Sequence, residues 1–510
     1  MDLSDWIERH ACFTPDAVAI RFGGAAISYA QLAQRIERAS AALAALGVGP
    51  GDAVAFLGLN NPLLLELLFA CARLGALVSP LNWRLAAPEH ARVFANCTPR
   101  ALLVEPAFVA DVNPLQPQLR GTRFVTLGAA SAGWVAWDDF ANSAAPAPAG
   151  HRRGGEDAPL LLCYTSGTTG VPKGVVLDQA ALQWNAFNSA HMHDLTSADR
   201  VLTTLPLFHV GGLNIQTMPA LHAGAAVTLH PRFEPVATLE ALESERITLT
   251  VLVPAQLTVL LQMPRWHTAD FSALRMITTG STIVSEQFAR RVNERGIPLA
   301  QVYGSTETGP IAAYQRADDA LGRPGSAGAP ALHCELRIVG ANGDDLPVGA
   351  DGEILVRGRN VTRGYWRQPE QTAAVLNDGW YHSGDVGHFD RDGYLYVVAR
   401  KRDMIITGGE NVYPEEIESI LMESPAIAEA CVVGKPDERL GEAVVVAVVL
   451  KSGAQLGAAE VQALLQGRIA RYKHPREVHV LAALPRSALG KLRRSEVRLA
   501  VGAPLVREAS

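Results

Sequence analysis

The sequence predicts an α/β protein with a large N-terminal domain of doubly covered sheets, a β-rich subdomain, and a small C-terminal α+β domain. Short apolar runs alternate with helix-spaced apolar stretches as far as Thr279, which implies βαβ units and a mostly parallel sheet. After Gly325 the texture changes to short strands separated by Gly/Asp turns, the pattern of hairpins. From Arg400 the alternation returns on a smaller scale, over a stretch long enough to fold by itself.

In chain order, Tyr29, Leu32, Ile36, Ala39 and Leu43 recur at helical spacing and stop at Gly47, with Pro50-Gly51 as the turn. Ala53 to Leu57 reads as a strand, Leu63 to Leu77 as a very apolar helix ending near Gly75, and Ala76 to Pro80 as the next strand. The Ala-, Pro- and Gly-rich stretch from Ala141 to Asp157 reads as a surface connection and a boundary between subdomains, with a second boundary near 325. Pro159 to Cys163 is a buried strand and Ala180 to His193 a helix. Val201 to Leu205, Ala225 to Leu229, Thr248 to Leu252 and Met276 to Thr279 continue the alternation. Glu335 to Val339, Glu353 to Arg357 and Tyr394 to Ala399 are the hairpin strands. The closing domain reads as helix Pro414 to Met422, strands Ile427 to Gly434 and Ala443 to Leu450, helix Ala458 to Ile469 and a strand near Val478.

A chain of 510 residues with 48% hydrophobic and 19% charged residues is globular and too long for one core. Its net charge of −6 and lack of a long basic block argue against nucleic acid as a partner. The six cysteines show no Cys-x-x-Cys spacing and most sit in apolar runs, so buried thiols in a reducing compartment are expected. The N-terminal ten residues are acidic and lack an apolar segment, and no uncharged run is long enough to span a bilayer. A cytoplasmic protein without a membrane span is therefore expected.

Tyr164-Thr-Ser-Gly-Thr-Thr-Gly-Val-Pro-Lys-Gly174 follows the strand at Pro159 and is composed to hold phosphate. Gly167, Gly170 and Gly174 let several N–H groups point at one anion, Thr165, Ser166, Thr168 and Thr169 add hydroxyls, and Lys173 adds charge. The spacing is not that of a Walker A loop. A second cluster, Tyr303-Gly-Ser-Thr-Glu-Thr-Gly309, places a carboxylate among glycines and hydroxyls at a strand end. Magnesium takes one or two protein carboxylates together with phosphate oxygens and water, so Glu307 is the candidate ligand and Thr306 a donor to the α-phosphate.

These clusters resemble the signatures of the adenylate-forming (AMP-binding) superfamily, which includes acyl-CoA and aryl-CoA synthetases, and the motifs recur in family order from Thr165 to Lys491. The resemblance implies an ATP- and magnesium-dependent ligase that converts a carboxylic acid to an acyl-adenylate and transfers it to coenzyme A, releasing AMP and pyrophosphate. It implies a large adenylate-forming domain at 1–399, a hinge at 400–403 with Arg402 at the position usually held by lysine or aspartate, and a mobile small domain at 404–510. Tyr303, Gly304, Ser305, Thr306 and Glu307 then join the phosphate loop in binding ATP and AMP, while Asp385 and Arg400 contact the ribose. Lys491, in a Leu-Pro-x-x-x-x-Gly-Lys pattern, reaches the substrate carboxylate and α-phosphate. Gly408 and Gly409 allow approach of the pantetheine arm, and Tyr472 and Lys473 lie near the CoA nucleotide. Leu440 stands where some relatives carry an aromatic.

Leu205-Pro-Leu-Phe-His209-Val-Gly-Gly212 is similar to the family segment beside the substrate carboxylate. His209 is either an interior histidine or a gate that admits the carboxylate and then the thiol. Val210, Gly211, Gly212, Asn214, Gly280, Gly304, Gly309 and Pro310 are expected to line a roomy, apolar acyl pocket. Arg232 and Arg275 do not argue for a second carboxylate on the substrate, so an apolar monocarboxylic acid is expected, aromatic (benzoate- or cinnamate-like) or medium-to-long aliphatic. The alternative is an acyl-adenylating enzyme that loads a carrier protein instead of CoA. Oligomeric state stays open, with a homodimer among the options.

Overall fold

The structure is a computed structural model that describes residues 2–144, 154–165, 172–281, 284–400, 404–485 and 492–503, with backbone only at 399 and 400. The described residues form four sheets. The first has nine strands, six of them parallel in the order Leu299–Tyr303, Met276–Thr279, Leu249–Val251, Arg200–Thr203, Ala226–Leu229 and Val18–Phe22. The second has eight, with a parallel run from Pro159–Thr165 through Leu77–Leu81, Ala53–Leu57, Ala101–Val104 and Arg123–Thr126 to Val135–Ala136. Lys173–Asp178 and Gly364–Tyr365 extend its other edge antiparallel.

Alternation along each strand covers both faces of both sheets. Val201 and Val54 face one shared core, whereas Leu202 packs with Trp266 and Leu257 on the far side of the first sheet, and Ala55 packs with Val93 and Phe94 on the far side of the second. The helix Pro62–Leu74 lies in the shared core and is buried along its whole length, as an all-round apolar helix must be. Asn61 caps its first turn and Gly75, at φ +67°, ends it. The helix Tyr29–Ala45 starts where Ser28 and Gln31 cap each other reciprocally.

A five-stranded antiparallel meander follows, built from Cys334–Val339, Gly352–Gly358, Trp380–Phe389, Leu376–Asn377 and Leu395–Arg400. The last sheet is made wholly of residues 405–480 and has its own core around Ile405, Ile417, Val446 and Leu465.

The strands were legible and the divisions between them less so. The 141–157 stretch links Val135–Ala136 to Pro159–Thr165, both strands of the eight-stranded sheet. Its composition reports a connection, not which sheet the ends enter. Near 325 the nine-stranded sheet closes at Ala329–Pro330 and the meander opens at Cys334, yet Gly364–Tyr365 returns to the eight-stranded sheet. The helix expected to reach Ile469 spans only Ala458–Ala463. Val461, Leu465 and Ile469 still face the core, but Gly467 turns left-handed at φ +72° before Ile469. Among the described residues no helix is long and apolar enough to cross a membrane, and all six cysteines are free.

Candidate active site

Two strand ends meet at the site. Pro159–Thr165 leads into the phosphate-loop sequence and Lys173–Asp178 returns from it, with Thr165 paired to Lys173, so the ladder holds the two ends of the loop together. Ser166, Gly167, Thr168, Thr169 and Gly170 lie outside the described residues. Thr165 and Lys173 line a cavity of about 440 Å³. Leu299–Tyr303 delivers Gly304, Ser305, Thr306 and Glu307 to the same cavity through a 3₁₀ turn capped by Ser305 N–H on Thr308 Oγ1 at 2.9 Å.

The residues expected to bind nucleotide are braced from the meander. Tyr303 donates its hydroxyl to Asp385 Oδ2 at 3.0 Å, and the Asp385 N–H donates to Ser383 Oγ at 3.0 Å. Asp385 and Arg400 are backbone register partners on neighbouring strands. Glu307 accepts a 2.8 Å bond from the Tyr365 hydroxyl, and the Lys173 ammonium sits 5.0 Å from the Tyr365 ring centroid. Tyr365 was missed by sequence reasoning: only its antiparallel pairing with Val175 brings it here, and nothing in Arg363-Gly-Tyr-Trp366 announces that pairing. A single carboxylate fits magnesium, which can take its other ligands from phosphate and water, and no group of three or more candidate ligands occurs among the described residues.

The apolar side of the cavity is lined by Val210, Gly211, Ile215, Phe233, Val253, Val302 and Pro310. Gly212 and Gly304 also line it, whereas Gly280, Gly309 and Asn214 are not on this wall. Asn214 is buried and braces the turn, donating from Nδ2 to the Gly309 carbonyl at 2.9 Å. Gly309 takes φ +87°, the left-handed region that favours glycine. Most of these glycines serve close backbone packing, not pocket volume. A Cβ at Gly212, Gly280 or Gly304 would come within 2.3, 2.7 or 1.8 Å of a backbone carbonyl oxygen, whereas one at Gly211 would meet nothing within 4 Å.

His209 is not enclosed in the core. Its Nε2 lies 2.9 Å from Glu410 Oε2, and Glu410 also pairs with Arg84, which stacks near Trp83 and Phe208. Glu410 arrives on the hairpin formed by Ile405–Thr407 and Glu410–Val412, whose two turn residues, Gly408 and Gly409, have φ +61° and +84°. Both glycines and Glu410 line the 440 Å³ cavity. Burial opposes ionisation of Glu410, but His209, Arg84 and Lys473 outweigh it and hold the carboxyl below its usual range. Beyond His209 lies a second cavity of about 90 Å³, with walls that include Leu85, Val93, Phe208, Tyr472 and Lys473. His209, Glu410, Asn411, Thr165 and Thr306 line both cavities.

Lys473 has two carboxylate partners. It is 3% exposed, with its ammonium donating to Glu89 Oε1 at 2.7 Å and Glu416 Oε2 at 2.6 Å. Its ammonium is thus enclosed by two carboxylates on the wall of the second cavity. Tyr472 borders the second cavity. Arg402 and Lys491 lie outside the described residues. On either side of the undescribed 486–491 stretch in sequence, Leu484 and Val497 pack with Cys431 and Val445 of the last sheet.

The AMP-binding enzyme family matches residues 7–366, and the AMP-binding enzyme C-terminal domain matches 416–491. The indoleacetate–CoA ligase of Aromatoleum aromaticum is 56% identical over 498 residues, 98% of each chain. A feruloyl-CoA synthase from Amycolatopsis sp is 41% identical over 502 residues, 98% of this chain and 99% of the other. The amide bond synthetase McbA from Marinactinospora thermotolerans superposes with a TM-score of 0.90 at 31% identity, covering 98% of this chain and 99% of that one. The chain belongs to the AMP-binding enzyme family and is an AMP-forming acyl-CoA synthetase, with ATP and CoA as substrates and magnesium typical of the family.

Proposed function

We propose that this synthetase activates an aromatic carboxylic acid, an arylacetate or arylacrylate, and passes its acyl group to CoA. A single cavity carries this conclusion, because it joins the polar wall of Thr165, Lys173, Glu307 and Asp385 to the apolar wall of Val210, Ile215, Phe233, Val253 and Val302. Its volume of about 440 Å³ is in the range of small-molecule sites. The aromatic acids named in the two ligase relatives support the same class.

In the first step a carboxylate oxygen of the acid bonds to the α-phosphorus of ATP and the bond to pyrophosphate breaks. The phosphate loop holds the nucleotide's phosphates, Asp385 and Arg400 hold its ribose, and Lys491 offsets charge developing between the carboxylate and the α-phosphate. Glu307 would hold magnesium, which would neutralise phosphate charge there. In the second step the CoA thiolate attacks the acyl carbon and AMP leaves. Rotation about the 400–403 hinge, which joins residues 1–399 to residues 404–510, exchanges Lys491 for the Gly408–Glu410 turn at the cavity. Glu410 then holds His209 at the junction of the two cavities, and its departure frees the imidazole to turn toward the carboxylate. The second cavity leads the pantetheine arm past Gly408 and Gly409. Six free cysteines accord with a cytoplasmic location.

The substrate class is tested by kcat/KM for indoleacetate, phenylacetate, cinnamate and ferulate against octanoate and palmitate. The expected outcome is a preference of at least about tenfold for an aromatic acid. A fatty acid as best substrate would contradict the aromatic assignment.

A further inference from the structure

Among the described residues, Arg84–Glu410, His209–Glu410 and Glu89–Lys473 join the sequence before the 400–403 segment to the sequence after it. The first two pairs lie at the reacting end of the site. The third lies in the far wall of the second cavity and has no role in the chemistry described so far.

We propose that Glu89, Lys473 and Glu416 form a charge clasp that holds the small domain in the thioester-forming arrangement, which makes Glu89 a positioning residue for the second half-reaction. This rests on the two-step reading above. Glu89 is aimed by its own helix: one carboxylate oxygen accepts the Ala86 N–H at 2.9 Å and caps Ala87–Cys97, while the other accepts Lys473 at 2.7 Å. Glu416 sits in the first turn of Pro414–Leu421, where a carboxylate is favoured, and accepts the same ammonium at 2.6 Å. Glu89, Lys473 and Glu416 are 7%, 3% and 8% exposed.

The arrangement is all-or-none. Lys473 and Glu416 belong to the small domain and travel together, so rotation removes the cation from Glu89 alone. A carboxylate that loses its partner while still buried is strongly destabilised until water reaches it, and that cost opposes partial opening. Burial raises the Glu416 carboxyl, while the two carboxylates outweigh burial and hold Lys473 above its usual value. Arg92 and Glu410 stand near the cluster, and Arg92 offsets some of its excess negative charge. With Leu85 and Phe208 on one side and Tyr472 on the other, the clasp forms part of the wall of a cavity lined from both sides of the hinge sequence.

The test compares wild type, Glu89→Gln, Lys473→Met and the double variant in separate half-reactions, pyrophosphate–ATP exchange and thioester formation from supplied acyl-adenylate and CoA. Glutamine keeps an oxygen for the Ala86 N–H, so the helix cap survives. Glu89→Gln is expected to slow thioester formation by about tenfold or more and leave exchange at the wild-type rate. Lys473→Met leaves two carboxylates facing each other and is slower still, and adding Glu89→Gln to it restores some of the loss. Hydrogen exchange in the ligand-free protein is expected to accelerate at 87–92 and 471–474 in Glu89→Gln. Wild-type thioester rates in Glu89→Gln, equal loss of both half-reactions, or unchanged hydrogen exchange would overturn the clasp. A wild type that forms neither adenylate nor thioester would overturn the functional reading instead, and the hydrogen-exchange comparison would still decide the clasp.

Discussion

Glu307→Gln is expected to lower adenylate formation by about 10²–10³-fold, the scale seen when one aligned electrostatic contributor is removed from a site. The substitution is nearly isosteric. Glutamine retains an oxygen for the Tyr365 hydroxyl, now 2.8 Å from Glu307 Oε1, and the Glu307 carbonyl keeps its 2.7 Å bond from the Thr362 N–H. The turn therefore stays in place, and what is lost is the negative charge beside the phosphates. Pyrophosphate–ATP exchange measured across a magnesium titration is expected to show both the rate loss and a higher magnesium requirement, with an unchanged melting temperature. Wild-type exchange at every magnesium concentration would remove Glu307 from the metal role.

Lys491→Ala is expected to have an effect of similar size on the first step alone, again about 10²–10³-fold. A lysine that neutralises the carboxylate and α-phosphate during adenylation has no task once the adenylate exists and the small domain has turned. Thioester formation from supplied acyl-adenylate is therefore expected to stay close to wild type. Equal loss of both steps would contradict the role, because it would show that Lys491 acts on something common to both.

How much of this could be read in advance depends on the range over which each feature is decided. The helix at Tyr29–Ala45 was legible because Tyr29, Leu32, Ile36, Ala39 and Leu43 carry its apolar spacing within one short stretch. Met276–Thr279 was legible because a short run with β-branched residues sits between Arg275 and Gly280. The polar half of the site was legible for the same local reason: Tyr303 to Glu307 carry their chemistry in one unbroken stretch.

What the chain order hides is which distant groups meet. His209 and Glu410 are 201 residues apart, and Glu89 and Lys473 are 384 apart. No local pattern distinguishes these carboxylates from ordinary surface glutamates. Lys473 shows the consequence, since its two carboxylate partners come from remote segments. The glycines teach a related lesson. A glycine marks a place where a side chain does not fit, and Gly304 and Gly280 show that the obstacle can be a neighbouring carbonyl and not a substrate.

The central claim is that one site makes an aryl adenylate and then a CoA thioester. The most direct test is pyrophosphate release with indoleacetate and ferulate, with and without CoA, followed by mass spectrometry of the products. The account predicts pyrophosphate release with an aromatic acid, and an aryl-CoA thioester plus AMP only when CoA is present. Adenylate that accumulates in the presence of CoA without conversion to thioester would contradict it and assign the second step to a different acceptor.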